Sequence, residues 1–236
     1  MWGVVWGTPR WTNVALRQTA PIVIGGHDES SYGARTLRSR GIGDLQVVTS
    51  VPWIGVSNAK LPDTGIFLGR LAQIWPAFRG SLLQPDDSLE VEGFIRRWGI
   101  ARAAWTSNTH RSLPMWMAGT FYLVQAVSGP ELREGELRCA LRSFASARAE
   151  FFNGGNVELE QAIMNNEAIA TIFRGGIDVG VKQSKQQAID LLMRATSKVG
   201  HAQGRGRPSA TASSLFVNLQ NLRGAHGSPA KRKKTL

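Results

Sequence analysis

In its second half the chain is divided by glycine into amphipathic segments, and this division restricts that half to a helical fold. Apolar residues recur at helical spacing from Leu137 to Phe151 and stop at Asn153-Gly154-Gly155. The next segment starts after Asn156 and stops at Gly175-Gly176. Glycine takes the left-handed backbone conformation that ends a helix more readily than other residues. The pattern therefore predicts two consecutive helices.

Two further helices are predicted nearer the C-terminus, from about Val181 to Val199 and from about Ser209 to Arg223. The first of these has an apolar side and a polar side, as expected for a helix that packs on a core. Its predicted polar face consists of Gln183, Gln187, Arg194 and Lys198. The apolar positions expected to be buried in the four helices are Leu137, Ala140, Leu141, Phe144, Ala147, Phe151, Leu159, Ala162, Ile163, Ile169, Ile172, Phe173, Ala188, Ile189, Leu192, Met193, Leu215, Phe216, Leu219 and Leu222.

The first half of the chain has a different composition, since all eight tryptophans lie at or before Trp116. Short runs rich in branched residues at 21–24, 45–49 and 53–56 predict β-strands. Helices are predicted over 87–105 and 114–127. We therefore predict a mixture of short strands and helices in the first half.

We therefore expect an α+β fold, in which a Trp-rich mixed part precedes a mainly α-helical part with a basic tail. The composition changes near Ser128-Gly129-Pro130. The expected divisions are a Trp-rich α/β body over 1–128, a helical segment packed on it over 129–200, and a basic linker, short helix and tail over 201–236.

Positive charge is concentrated at the C-terminal end. The formal net charge of the chain is +11, and residues 182–236 hold 11 basic residues against one acid, Asp190. The preceding 181 residues hold 17 basic and 16 acidic residues and are nearly neutral. A charge separated in this way attracts a polyanion, such as RNA, DNA, an anionic membrane surface or an acidic protein.

A second basic cluster lies between Gly93 and Ser112. It contains four arginines, interleaved with Trp98 and Trp105, and no acid. Guanidinium groups bind phosphates and aromatic rings stack on bases, so the cluster suits a nucleic-acid surface. Burial of the two tryptophans in a core is the alternative interpretation. The predicted nucleic-acid-binding residues of the whole chain are Arg96, Arg97, Arg102, Arg111, Lys182, Lys185, Arg194, Lys198, Arg205, Arg207, Arg223, Lys231, Arg232, Lys233 and Lys234.

Residues that carry catalysis or bind metals are sparse. The four histidines are scattered without the spacing of metal ligands, and Cys139 reads as a small packing residue in a helix. No glycine-rich phosphate loop is present. The sequence therefore predicts no enzyme, no cofactor and no metal, and an enzyme of unrecognised type is the least favoured alternative. The longest mainly apolar stretch, 115–127, is too short to span a bilayer.

One short motif lies between the last two predicted helices. Arg205-Gly206-Arg207-Pro208 resembles the core of the AT-hook, a motif that lies in the narrow minor groove of A·T-rich DNA. That groove has an enhanced negative potential for arginine, and glycine permits close approach. The alternative is a cationic linker whose proline starts the last helix.

The function expected from these features is that of a non-enzymatic structural protein that binds nucleic acid, with RNA favoured over DNA and with contacts mainly to phosphates. The general plan resembles coat or nucleocapsid proteins and ribosome-associated proteins, which implies self-association or a larger assembly. One alternative is a structural subunit of a large protein or mitochondrial assembly, whose basic tail docks on acidic protein or anionic lipid. An AT-hook-like DNA-binding protein is the other.

The sequence leaves the compartment open. The basic, acid-free first 27 residues loosely resemble a mitochondrial presequence, and Lys231–Lys234 also suits a nuclear-localisation patch. A single cysteine excludes an intrachain disulfide framework. The expectation is a protein inside a cell, an organelle or a virion rather than a disulfide-stabilised secreted protein.

Overall fold

The structure is a computed structural model, and the residues it describes are 21–22, 34–39, 43–49, 54–55, 93, 108–128, 131–150, 157–175, 181–197 and 210–224. Most of them are helical. The helices with described bounds are α1 (Asn108–Ser128), α2 (Glu134–Ala149), α3 (Val157–Gly175), α4 (Val181–Ser197) and α5 (Ala210–Gly224). The described strands are β1 (Pro21–Ile22), β2 (Ala34–Ser39), β3 (Gly43–Val48) and β4 (Ile54–Gly55).

The strands form two antiparallel pairs. In the longer pair, β2 and β3 run side by side with Leu37 opposite Leu45 and Arg35 opposite Val47. In the shorter pair, β1 lies against β4, with Ile22 opposite Ile54. Strands β1, β3 and β4 fall on the three predicted runs, whereas β2 was not predicted. Its sequence, ARTLRS, lacks the run of branched residues that marks the other strands, and β2 forms by pairing with β3.

Helices α1 and α2 pack closely against each other. Gly119 of α1 faces the ring of Phe144 of α2, and a Cβ placed on Gly119 would lie 2.5 Å from Phe144 Cε1. The ring of Phe144 is completely buried. The absence of a side chain at Gly119 is therefore what allows the aromatic ring to pack against the α1 backbone.

Helix α3 is the central helix of the described part. It contacts α1, α2, α4, α5 and strand β3, and every residue from Gln161 to Ala170 is buried. Polar side chains in this stretch form hydrogen bonds with neighbouring elements, as buried polar groups require. For example, Gln161 Nε2 donates to the carbonyl oxygen of Ala195 in α4 at 3.2 Å.

Strand β3 is fixed by asparagine side chains from two helices. Asn166 of α3 accepts from the backbone N–H of Val48 and donates to its carbonyl oxygen, both at 2.8 Å. Asn218 of α5 binds Gln46 in the same way, at 2.7 Å and 2.8 Å. The two asparagines thus take the place that a neighbouring strand would occupy at these residues.

The strand-binding asparagines are themselves joined. Asn165 Nδ2 donates to Gln46 O at 2.8 Å and to Asn166 Oδ1 at 3.1 Å, and Asn165 Oδ1 accepts from Asn218 Nδ2 at 2.9 Å. Asn166 Nδ2 also donates to Thr120 Oγ1 of α1 at 2.9 Å. We call Thr120, Asn165, Asn166 and Asn218 the asparagine cluster. It connects α1, α3, α5 and β3 through buried hydrogen bonds.

The four helices predicted downstream of Pro130 are confirmed. Their described bounds lie close to the predicted ones, and Leu137, Phe144, Leu159 and Leu192 are among the predicted core residues that are buried. Leu141 and Phe173 are partly buried, and Phe151 lies outside the described residues.

Two predicted core positions are wrong. Met193 is 46% exposed and Phe216 is 51% exposed. Each directly follows a buried leucine. Consecutive side chains of an α-helix point about 100° apart, so the residue after a buried leucine can face solvent. In α5 the buried face includes Asn218, which binds β3, so Phe216 is rotated toward solvent.

Helix α1 also begins earlier than predicted, at Asn108 rather than near Pro114, which lies inside it. Proline is favoured in the first turn of a helix because it lacks an N–H donor. Its fixed φ is nevertheless compatible with a helix, so Pro114 does not have to mark the first residue of α1. The predicted helix over 87–105 lies outside the described residues except for Gly93, which is helical.

Described residues from β3 and from α1 to α5 contribute to one continuous hydrophobic core, which extends in sequence from Leu45 to Leu222. The mixed α+β class and the division at 128 and 200 stay predictions, because most of the first 107 residues lie outside the described ranges.

Candidate nucleic-acid interface

The structure describes five of the fifteen predicted nucleic-acid-binding residues. Lys182, Lys185 and Arg194 lie on α4, Arg223 lies on α5, and Arg111 is described only as part of α1. Lys182, Arg194 and Arg223 are exposed, whereas Lys185 is partly buried. The predicted residues outside the described ranges are Arg96, Arg97, Arg102, Lys198, Arg205, Arg207, Lys231, Arg232, Lys233 and Lys234.

The basic residues of α4 do not share one face. Lys182 and Arg194 are twelve positions apart, which separates them by about 18 Å along the helix and about 120° around it. The predicted polar face is confirmed for Gln183, Gln187 and Arg194, which are all exposed. An extended anion that touched both Lys182 and Arg194 would have to cross the helix.

Glu167 is a buried carboxylate that interacts with arginines from α2 and α4. Arg148 Nη2 of α2 donates to Glu167 Oε1 of α3 at 3.1 Å, and the side chain of Glu167 is only 10% exposed. Burial raises the pKa of Glu167, while Arg148 and Arg194 act in the opposite direction. Arg148 contacts the carboxylate directly, and both arginines favour its ionised form electrostatically.

Helix α5 presents a stripe of exposed side chains with no acid. Ser213, Phe216, Gln220 and Arg223 are all exposed and recur at spacings of three and four, which places them on one side of the helix. We call these four residues the α5 stripe. No acidic residue occurs between 191 and 236, so the surroundings of the stripe in sequence are also cationic.

Helix α2 carries two exposed arginines that are not among the predicted nucleic-acid-binding residues. Arg138 and Arg142 are one helical turn apart and both exposed. Arg138 Nη1 lies 3.6 Å from Glu134 Oε1, with both side chains more than half exposed, so this ion pair contributes little to stability. Both arginines lie outside the cationic C-terminal quarter.

Most of the cationic charge of the C-terminal quarter lies beyond the described helices. Of its 11 basic residues, Lys182, Lys185, Arg194 and Arg223 are described, together with the single acid Asp190. The other seven belong to the segments 198–209 and 225–236. The described helices thus carry little of this charge, and most of it belongs to two segments outside the described residues.

Across the described ranges, no three His, Cys, Asp or Glu side chains are grouped so that they could hold a metal ion. No helix in that part of the chain has both the length and the apolar character needed to cross a bilayer. In comparisons with known proteins, no family model, no curated protein and no solved structure matches this chain.

Proposed function

We propose that this protein is a non-enzymatic structural protein that binds nucleic acid, favours RNA, and makes mainly sequence-independent contacts to phosphates. The observation that carries the proposal is the separation of charge, with 11 basic residues and one acid in the last 55 residues of a chain that is otherwise nearly neutral. Exposure of Lys182, Arg194 and Arg223 supports it, because these cations are accessible to a large anion.

Binding would follow from phosphate neutralisation. Each phosphate neutralised by a lysine or arginine releases condensed counterions, so affinity decreases steeply as salt increases. The residues proposed to act in this way are those of α4 and α5 together with Lys198, Arg205, Arg207 and Lys231–Lys234. Arg96, Arg97, Arg102 and Arg111 are proposed as a second contact region.

The test is the affinity of the full-length protein for a fluorescent single-stranded RNA, measured over a series of salt concentrations. The tail variant replaces each of Lys231, Arg232, Lys233 and Lys234 with glutamine. Loss of four phosphate contacts is expected to reduce the slope of log affinity against log salt by about 3, at roughly 0.7 per contact for a single strand.

The matched control for the tail variant is the double substitution Arg138→Gln and Arg142→Gln, which removes exposed cations outside the proposed interface. It is expected to leave the salt slope unchanged. Binding that is insensitive to salt, or a tail variant with the wild-type slope, would contradict the proposal. A strong preference for an A·T-rich duplex that is lost on Arg205→Gln and Arg207→Gln would instead support the AT-hook alternative.

A subunit of a larger protein assembly is the second candidate function. The observation in its favour is that Met193 and Phe216 are large apolar side chains that remain about half exposed. Such residues are commoner at protein interfaces than on the rest of a surface. Association with protein partners that persists after nuclease treatment would favour this second function.

A further inference from the structure

The most unusual surface residue of the described part is Phe216. Its side chain is 51% exposed, although it lies in a helix whose leucines, Leu215, Leu219 and Leu222, are buried. The rotation of α5 is set by its packing on β3, where Asn218 binds the backbone of Gln46. The ring is therefore held on the outer side of a well-anchored helix.

The side chains beside Phe216 are suited to an anion. Gln220 follows it by one helical turn, and Arg223 lies on the same side about 10 Å further along the axis. Helix α5 contains no acidic residue, and the twelve residues after it contain Lys231–Lys234 and no acid. These cations are complementary in charge to a polyanion, and the aromatic ring can stack on flat groups that the polyanion carries.

We propose that Phe216 is a base-stacking platform for single-stranded nucleic acid, and that Arg223 contacts a phosphate of the same strand. This inference rests on the proposed function and deepens it by naming the strandedness of the ligand. A side chain can stack on the face of a base when the base is unpaired, whereas the faces of bases within a duplex are covered by their neighbours. Single strands are therefore the form of RNA or DNA that this surface would select.

Met193 provides the matched control. It is exposed to a similar extent, 46%, and lies on α4, which contacts α5. A thioether chain offers no aromatic face, so Met193→Ala removes exposed apolar surface without removing a stacking partner. Phe216→Tyr retains the ring and serves as the conservative variant.

The experiment compares the affinities of the full-length wild type, Phe216→Ala, Phe216→Tyr, Met193→Ala and Arg223→Gln for single-stranded RNA and for a duplex of the same length. Phe216→Ala is expected to weaken single-strand binding about tenfold, with an unchanged salt slope, because stacking displaces no counterion. Phe216→Tyr is expected to bind like the wild type. Arg223→Gln is expected to reduce the slope by about 0.7.

The outcomes separate failure of this inference from failure of the proposed function. If the wild type binds neither single-stranded RNA nor the duplex, the proposed function fails and the inference fails with it. If the wild type binds but Phe216→Ala binds equally well, or Met193→Ala loses as much affinity, the stacking role alone is overturned. A change in oligomeric state in Phe216→Ala without a change in affinity would also overturn it and assign Phe216 to a protein interface. Circular dichroism of each variant establishes that the helices are retained.

Discussion

The carboxamide of Asn166 is hydrogen bonded to both backbone groups of Val48, a residue 118 positions earlier in the chain. Asn218 has the same relationship with Gln46, across 172 positions. Alternate residues of a strand present their backbone groups to the same edge, so both asparagines bind one edge of β3. The edge opposite β2 is therefore closed, at these residues, by side chains from α3 and α5.

The first prediction concerns Asn166→Ala. This substitution removes the partners of the Val48 N–H and carbonyl oxygen inside the core, and an unsatisfied buried polar group is costly. We expect the free energy of unfolding to decrease by about 3 kcal/mol. Urea denaturation followed by circular dichroism measures the change.

The control for Asn166→Ala is Asn221→Ala. Asn221 Nδ2 donates to the carbonyl oxygen of Asp44 at 2.6 Å, but this bond is exposed to solvent. Water can replace the lost donor, so the expected decrease is less than about 1 kcal/mol. Equal losses in the two variants would mean that burial does not govern the contribution of these asparagines.

The second prediction concerns hydrogen exchange in β3. Asn218→Ala removes the acceptor of the Gln46 N–H, and we expect this amide to exchange faster with solvent deuterium. The amides of Leu45 and Val47 lie on the alternate positions that face β2, so they are expected to remain protected. Faster exchange at all three amides would show instead that loss of Asn218 opens the whole β2–β3 pair.

The third prediction concerns Gly119→Ala. The added methyl group would lie 2.5 Å from the Phe144 ring, so the α1–α2 contact must open or the ring must move. Overpacking of this kind is expected to decrease the free energy of unfolding by about 2 kcal/mol. Thermal denaturation would detect the loss.

Two further variants test the cause assigned to Gly119→Ala. Gly135→Ala in α2 meets no neighbouring atom within 4 Å, and alanine has a higher helix propensity, so this control is expected to be neutral or slightly stabilising. The combination of Gly119→Ala with Phe144→Leu is expected to lose less stability than the sum of the two single losses. Simple additivity would show that the two residues do not clash.

The fourth prediction concerns the pH dependence of stability through Glu167. Burial raises the pKa of this carboxyl above its ordinary value of 4.5, and Arg148 and Arg194 only oppose the shift. The folded protein therefore binds the proton more tightly than the unfolded chain. The resulting stabilisation is complete below pH 4.5 and is lost as the pH rises through the raised pKa.

The test of this pH dependence is Glu167→Gln, which cannot titrate. Relative to this variant, the unfolding free energy of the wild type is expected to fall as the pH rises from 4.5 toward neutrality. Glu134→Gln, at an exposed position, controls for the general effect of removing one carboxylate. A wild type that gains stability over the variant as the pH rises would contradict the direction assigned to the pKa of Glu167.

The helices of the second half could be predicted because their signals are local. Apolar spacing identifies each helix, and glycine just beyond the periodic segment marks its end within a few residues, as in α2 and α3. The concentration of charge after residue 181 is likewise a property of the chain itself. Strand β2 could not be predicted in this way, because its formation depends on pairing with β3.

The amino-acid sequence by itself therefore determined where the helices of the second half lie and where the positive charge is concentrated. Only the tertiary structure decided that Phe216 faces outward and that Asn218 is buried. Asn218 is buried and Phe216 exposed in the same helix because the edge of β3 opposite β2 needs hydrogen-bond partners, and an asparagine can supply both a donor and an acceptor. Gln46, whose backbone needs these partners, lies 172 positions earlier in the chain than Asn218. The sequence of α5 alone therefore could not indicate that Asn218 would be buried.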